Sequence, residues 1–578
     1  MRYFLTLTAL LFAWAAQGAV TDSITYIYPI REVARLYSAN FGEMRPGHLH
    51  AGIDIKTDGV EGKPLVAAAD GYISRMVVQA GGYGRALYLT TADGTTCVYA
   101  HLKRFRKDLE EAMQQERYAR QSNRIDRWFT AERYPVKQGE LIGYSGNSGS
   151  SSGPHLHYEM RMGKEQRRIN IVREGFITPR DTLPPRFMKL HYVEIDTLEN
   201  GIPMRSAMES YAVVRHADGI YRPTHTEPIP VGTKGYFIAE VTDRRNEVHN
   251  TFAVWRLTAK VDGTPYFEFR MDGFPYELAA SCDAMSCYPL QLTSRNEVIR
   301  IAQMEGAPDC FYPIMQERGL LRCAPAQQRS LHMELEDDCG NCSELHFKVI
   351  GRDSLQHFTP AIDSLANPIF IDRTTRLHCG TDFSAEIPAG ALYEARYARP
   401  EAGIVPVVDS GVVVLSPAYR LFEDPRIPLR KNIHISIRTH LPKALQSKAI
   451  LALRNYRGKA AWCGGSYADG EVSGSLRALG DWFVAADTLP PTIQPRFTAS
   501  SDLSGKKELA FKVGDNFTGI ASWRLEIDGA WVPCDRYPSR GLLVWHIDQP
   551  PTGQLRRATL TVTDGVGNRR REAFDFRW

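Results

Sequence analysis

His155-Leu156-His157 is the stretch of this sequence richest in reactive groups. In a β-strand alternate side chains share a face, so His155 and His157 point together while Leu156 faces a core. Two imidazoles on one face can serve one metal, or one can hold the metal while the other moves a proton. Far upstream, His50 and Asp54 offer a nitrogen and an oxygen donor that can complete such a site. A straight strand would separate these two by about 13 Å, whereas ligands about 2.0–2.2 Å from one zinc ion must lie far closer. The chain must therefore bend between them. Gly52 permits the bend. Together with β-branched Ile53 and Ile55 it argues against a helix, so a turn entering a strand at Asp54-Ile55 is predicted.

Read in order, these residues resemble the lysostaphin/LytM-type zinc metallopeptidases, bacterial enzymes that cut peptide cross-links in peptidoglycan. His50 to Asp54 matches the family's His-x-x-x-Asp, and His155 with His157 matches its His-x-His. Tyr99-Ala100-His101-Leu102 supplies the separate histidine between them, and the spaced glycines around 66–71 and 137–143 are also similar. The resemblance covers about residues 38–180 and implies that His50, Asp54 and His157 bind Zn2+, leaving a position for water. It further implies that His155 takes or orients the water proton and that His101 hydrogen-bonds the developing oxyanion. His48 lies at the wrong spacing from Asp54 and is expected at the cleft rim. The implied substrate is the peptide stem of peptidoglycan. Two other readings are a catalytically silent scaffold that activates wall hydrolases and a protease acting on proteins outside the wall.

Composition excludes little and excludes it clearly. The net charge of +4 over 578 residues gives no electrostatic bias toward nucleic acid. Met1-Arg2, the apolar run Tyr3 to Ala16 and the small residues after it read as a secretory signal peptide over residues 1–18, hence export to the periplasm or cell surface. No later stretch is long and apolar enough to span a bilayer. Ten cysteines in an oxidising compartment predict disulfides, with Cys282/Cys287 and Cys339/Cys342 the closest in sequence. Cys97 reads as a buried thiol.

The elements that must position the site are mainly β. Short alternating runs from Leu65 to His101, cut by Asp70-Gly71, Gly81 to Gly84 and Asp93-Gly94, predict an antiparallel sheet with His101 at a strand end. Residues 103–130 hold helix formers without Gly or Pro and predict a helical insertion in a peptidase domain spanning 19–184. The glycines of 143–153 lack the Gly-Lys-Ser/Thr ending of a phosphate loop and are expected to let backbone approach a peptide. Beyond residue 184, Asp181-Thr182-Leu183-Pro184-Pro185 recurs as Asp487-Thr488-Leu489-Pro490-Pro491 and reads as a stiff linker opening a new module. Val261-Asp262-Gly263 and Ile527-Asp528-Gly529 are a second echo, suited to tight hairpins. Tandem β-sandwich modules of immunoglobulin-like type are expected at 186–352 and 492–578, with a β-rich unit at 375–486. Envelope protein partners are expected to bind these modules.

Overall fold

The computed structural model describes residues 24–197, 201–353, 366–498, 501–548, 550 and 553–578, so the segment read as a signal peptide lies outside the described residues. The chain is mainly β. In its first part, antiparallel strands run in the spatial order Tyr37–Ala39, Ile53–Lys56, His155–Met162, Thr96–Ala100, Arg85–Thr90, Gly71–Val78 and Ile125–Trp128. Alternation sorts their side chains: Ile53, Ile55, Leu156, Tyr158 and Met160 join one apolar core, while His155, His157 and Glu159 take the other face. A second layer of Pro64–Val66, Leu141–Ser145 and Leu102–Phe105 covers that core with Leu65, Ile142, Leu102 and Phe105.

The helix predicted over 103–130 is shorter, Lys107–Arg120. Leu102–Phe105 is instead claimed by pairing with the strand at 141–145, and Ile125–Trp128 extends the main sheet beside Gly71–Val78. Tertiary pairing thus overrides helix propensity at both ends, leaving helical only the segment that no strand partners.

The strands between Arg186 and Gly351 join into one larger assembly of 13 strands. Its apolar core takes in Phe41, Met44 and Leu49, the residues leading into His50. Gly273–Phe274 also pairs with Arg167–Ile169, so the first sheet continues into this module. A five-stranded and a six-stranded sheet share a core across Ile369–Val484. The last part of the chain packs two four-stranded sheets on either side of Phe511, Leu525, Trp545 and Leu560. Trp531 is buried there, and Trp523 donates its indole N–H to Cys534 O at 2.8 Å.

The echoes in the sequence have a common geometry. Asp262-Gly263 and Asp528-Gly529 all have positive φ, as two-residue hairpin turns require. Asp262 accepts from Ser330 N and Arg329 Nε, and Asp528 from Arg557 N and Arg556 Nε, each at 2.7 or 2.8 Å. The disulfides expected from the cysteine count are not formed: all ten cysteines are free thiols. Several spend their S–H locally, Cys282 on Arg45 O at 3.3 Å and Cys339 on Asp338 Oδ1 at 3.5 Å. Cys97 is fully buried, which pushes its thiol up to about 12.

The C-terminal module folds back onto the Lys107–Arg120 helix. Asp535 receives Arg117 Nη2 at 2.7 Å and Arg85 Nη1 at 3.0 Å. Burial pushes its carboxyl up, but the two guanidinium groups hold it down at about 2. Tyr118 reaches Asp548 and Asn123 caps Cys534 N at 2.9 Å. Replacing Asp535 with Ala leaves the buried Arg117 guanidinium without its counter-ion, a loss of about 3–5 kcal/mol for such pairs. The expected result is a lowered melting temperature and release of the C-terminal module at protease doses that leave the wild type intact.

Candidate metal centre

Register brings the two motifs together. Asp54 pairs directly with His157 on the neighbouring strand, and His157 pairs on its other side with Ala100. Residues opposite each other in an antiparallel pair share a face, so Asp54 and His157 converge and His101 follows from the end of the third strand. His50 arrives from outside the sheet, just before the Ile53–Lys56 strand. Gly52 serves the bend in another way than a glycine φ would. A Cβ on Gly52 would lie 2.2 Å from Tyr158 O, so it is the close approach to the next strand that demands glycine. His101 does adopt a left-handed φ of 63°. Its N–H on Tyr83 O and its ring on Ser148 O hold it there, at 2.9 and 2.8 Å.

His50 Nε2, Asp54 Oδ1 and His157 Nδ1 lie 2.8–3.1 Å from one another. Donors about 2.0–2.2 Å from a tetrahedral zinc ion stand roughly 3.3–3.5 Å apart, so these atoms are spaced to share one ion. The outer hydrogen bonds decide which atoms face inward. His50 Nδ1 lies 2.7 Å from Asn40 O, which can only accept, and so carries the proton. His157 Nε2 donates to Glu159 Oε1 at 2.9 Å. Both imidazoles are thereby left to present unshared pairs toward Asp54, the tautomers a metal needs. This donor set fits a zinc ion.

His155 and His101 stand beside it. His155 Nε2 is 3.5 Å from Asp54 Oδ1, and its Nδ1 donates to Gly153 O at 2.8 Å. The rings of His101 and His155 are 4.8 Å apart. His101 donates Nδ1–H to Ser148 O, so its Nε2 is also a free acceptor. All five residues predicted from the sequence therefore meet in one place. His48 lines the same cleft but is exposed and outside the donor cluster.

Electrostatics favour a cation at this point. Burial pushes the Asp54 carboxyl up, but His50 and His157 hold it well below the ordinary range. Burial pushes the His157 imidazolium down, yet Asp54 and Glu159 hold it up at about 9, with a proton standing where a metal would. Burial and the neighbouring imidazoles of His155 and His157 push His101 down to about 3. Glu159 is fully buried and held ionised against that burial by Arg161, with Arg168 and the Tyr83 hydroxyl also turned on it.

Glu159, Asn40 and Tyr83 were not singled out from the sequence. Glu159 had a signal, since it continues the alternation of His155 and His157 on the same face. Asn40 and Tyr83 had none, because each reaches the site from another segment. The glycines of 143–153 pack loop on loop: a Cβ on Gly146 would meet Lys103 N at 2.3 Å, and one on Gly149 would meet Gly82 O and Gly84 N at 2.4 Å. The cleft of about 1450 Å³ over the site is lined by Arg45 and Tyr83 and, from the next module, by Asn250, Thr251, Tyr276 and Glu277.

The sequence model of peptidase family M23 matches residues 114–170, which include His155 and His157, and that of the Zu5-like domain matches residues 370–487. An "Uncharacterized metalloprotease" of Haemophilus influenzae is 35% identical over 144 residues, covering 23% of this chain and 24% of that protein. The "DD-carboxypeptidase/endopeptidase Mpg" of Neisseria meningitidis serogroup B is 35% identical over 131 residues, with the same shares. The chain thus spans about a quarter of the length of these curated relatives. The catalytic domain of lysostaphin from Staphylococcus simulans is 22% identical over 24% of this chain and 89% of its own, with a TM-score of 0.17, too low to bear on the fold. A buried His-Asp-His cluster thus stands beside a segment that matches the sequence model of peptidase family M23, and the N-terminal part of the chain is similar to that family.

Proposed function

We propose that this protein is an exported zinc-dependent peptidase that hydrolyses peptide bonds in the stems and cross-links of peptidoglycan. The observation that carries the reading is the convergence of three inward-facing donors, on His50, Asp54 and His157, with two more imidazoles presenting free acceptors beside them. His50 Nε2, Asp54 Oδ1 and His157 Nδ1 would hold the ion. Bound zinc supplies a Lewis acid that polarises the scissile carbonyl and acidifies the attacking water.

The chain's own residues do the rest. His155, neutral and hydrogen-bonded through Nδ1, has Nε2 ready to take the water proton. Once protonated, its Nε2–H can pass that proton to the leaving amine. His101 Nε2 is an acceptor in the resting tautomer and orients the water. It becomes a donor to the tetrahedral oxyanion only after gaining a proton, so the oxyanion role implied by the family resemblance needs that proton first. The cleft of about 1450 Å³ has room for a short peptide, and its lining residues from the next module would give contacts beyond the scissile bond. The Neisseria relative is named for both carboxypeptidase and endopeptidase activity, and the same centre serves either, depending on whether the chain end or an internal bond fits the cleft. A silent scaffold would not need two spare imidazoles held in acceptor tautomers.

Digestion of purified sacculi with the full chain, read by mass spectrometry, is expected to release cleaved stem peptides. Unchanged sacculi with zinc-loaded protein would overturn the reading. His157→Ala is expected to lose both zinc, by elemental analysis, and activity. His101→Ala is expected to keep zinc while kcat falls by about 10²–10⁴-fold. Because the proton on His157 must leave before a metal binds, apparent zinc affinity is expected to fall about tenfold per pH unit as pH drops below about 9, measured by competition with a chelator of known affinity.

A further inference from the structure

Where the peptidase domain passes into the next module, three carboxylates face one another. One oxygen from each of Asp181, Asp243 and Asp337 lies within 4.8 Å of the others. Asp243 and Asp337 are 0% exposed. Both carboxylate oxygens of Asp243, and Oδ2 of Asp181, are buried without any hydrogen-bond partner. Asp337 is fixed by Cys339 N, Asn341 N and Asn341 Nδ2 at 2.8–2.9 Å. The cation nearby is Arg245, whose charge draws the Asp243 carboxyl part of the way down, but its hydrogen bonds, both from Nη2, go to Asp338 at 2.5 and 2.7 Å and none reaches Asp243. Buried charge without a partner is among the most unfavourable arrangements a fold can hold. Burial and then Asp337 push Asp243 up to about 9, and burial raises Asp337 to about 6.

The same plan returns at the last module. Asp487 opens the second Asp-Thr-Leu-Pro-Pro linker and is 0% exposed. Asp564 accepts from Val566 N, Asn568 N and Asn568 Nδ2 at 2.7–3.0 Å, as Asp337 does from its own turn. Asp515, placed like Asp243 just past a strand, has a buried Oδ1 without a partner. A linker, a strand-end and a hairpin aspartate thus recur at the last module. There, however, Thr518 N and Oγ1 donate to Asp487 Oδ2 at 3.1 and 2.7 Å, and the carboxylate with neither oxygen partnered, Asp243, belongs to the first set.

We propose that Asp181, Asp243 and Asp337 form a binding site for a hard divalent cation, Ca2+, that clamps the linker to the 186–351 module. The donors are all oxygens, with no imidazole among the three, and they come from three separate segments, which suits the flexible coordination of calcium. The ion supplies the charge that the unpartnered Asp243 oxygens lack. It also sits at the root of a catalytic wall. Asp243 bridges Phe252 in both directions, at 3.1 and 3.2 Å, and Asn250 and Thr251 between them border the cleft. Asp338, next to Asp337, accepts from Asn40 Nδ2 at 3.3 Å, and the Asn40 carbonyl holds His50. The site stands whether or not the chain is a peptidase, since it uses none of the zinc donors.

Isothermal titration of the zinc-saturated full chain with CaCl2 tests it, beside D243N. The wild type is expected to take up calcium with an affinity between about 10⁻⁶ and 10⁻³ M and to melt at higher temperature in its presence. D243N is expected to bind one ion fewer per chain. Without calcium it should melt about where the wild type does, because burial already keeps the Asp243 carboxyl neutral there and the amide has nearly the same shape. D181N, altered at a half-buried linker residue, is expected to lose the same ion and serves if D243N does not fold. No uptake at about 10 mM CaCl2, or full stoichiometry in the folded variants, overturns the proposal.

Discussion

The unshared pairs of His50 Nε2 and His157 Nδ1 and the charge of Asp54 converge within 3.1 Å, and such a cluster is unfavourable until a proton or a metal ion stands among them. The structure arranges for that need instead of avoiding it. Asn40 and Glu159 fix the ring protons on the outer side, so neither imidazole can rotate its N–H inward without giving up a buried hydrogen bond. The cost of leaving a buried polar group unmade makes these outer bonds decisive. Arg161 and Arg168 in turn keep Glu159 charged, and Tyr83 stacks on the His157 ring at 5.5 Å.

The site is not the property of one domain. His50 follows Phe41, Met44 and Leu49, which are buried in the core of the next module, and Asn40 is held by Ala253 and Asp338 of that module. One ligand of the candidate metal centre is therefore positioned by residues more than 200 positions downstream. The same module supplies the far wall of the cleft. The module that follows is part of the geometry of the candidate metal centre, and a fragment cut near residue 184 would expose that apolar segment and loosen His50.

The two echoed modules show how linkers in this chain are tied down. Each begins with an aspartate, the half-buried Asp181 or the buried Asp487, and each has an Asp-x-x-x-Asn hairpin with the same hydrogen bonds. The hairpin is what repeats; at the last module Thr518 donates to Asp487, so the carboxylate with neither oxygen partnered, Asp243, is in the first.

Much of the centre was legible in the residues themselves. Donor types, their order along the chain and the shared face of His155 and His157 follow from side-chain chemistry and the period-two alternation of a strand, both local properties. The same alternation held a signal for Glu159 that the sequence reading left unused, and turn chemistry carried the Asp-Gly hairpins. The helix limits, the role of Gly52 and the free thiols were decided otherwise, because each depends on what a distant segment brings alongside. Which ring nitrogen faces the ion, which module walls the cleft, and that Asp181, Asp243 and Asp337 share one buried point belong to the tertiary structure alone. Hydrogen bonds and charges act over a few ångströms of space, and sequence separation says nothing about that distance until the chain has folded.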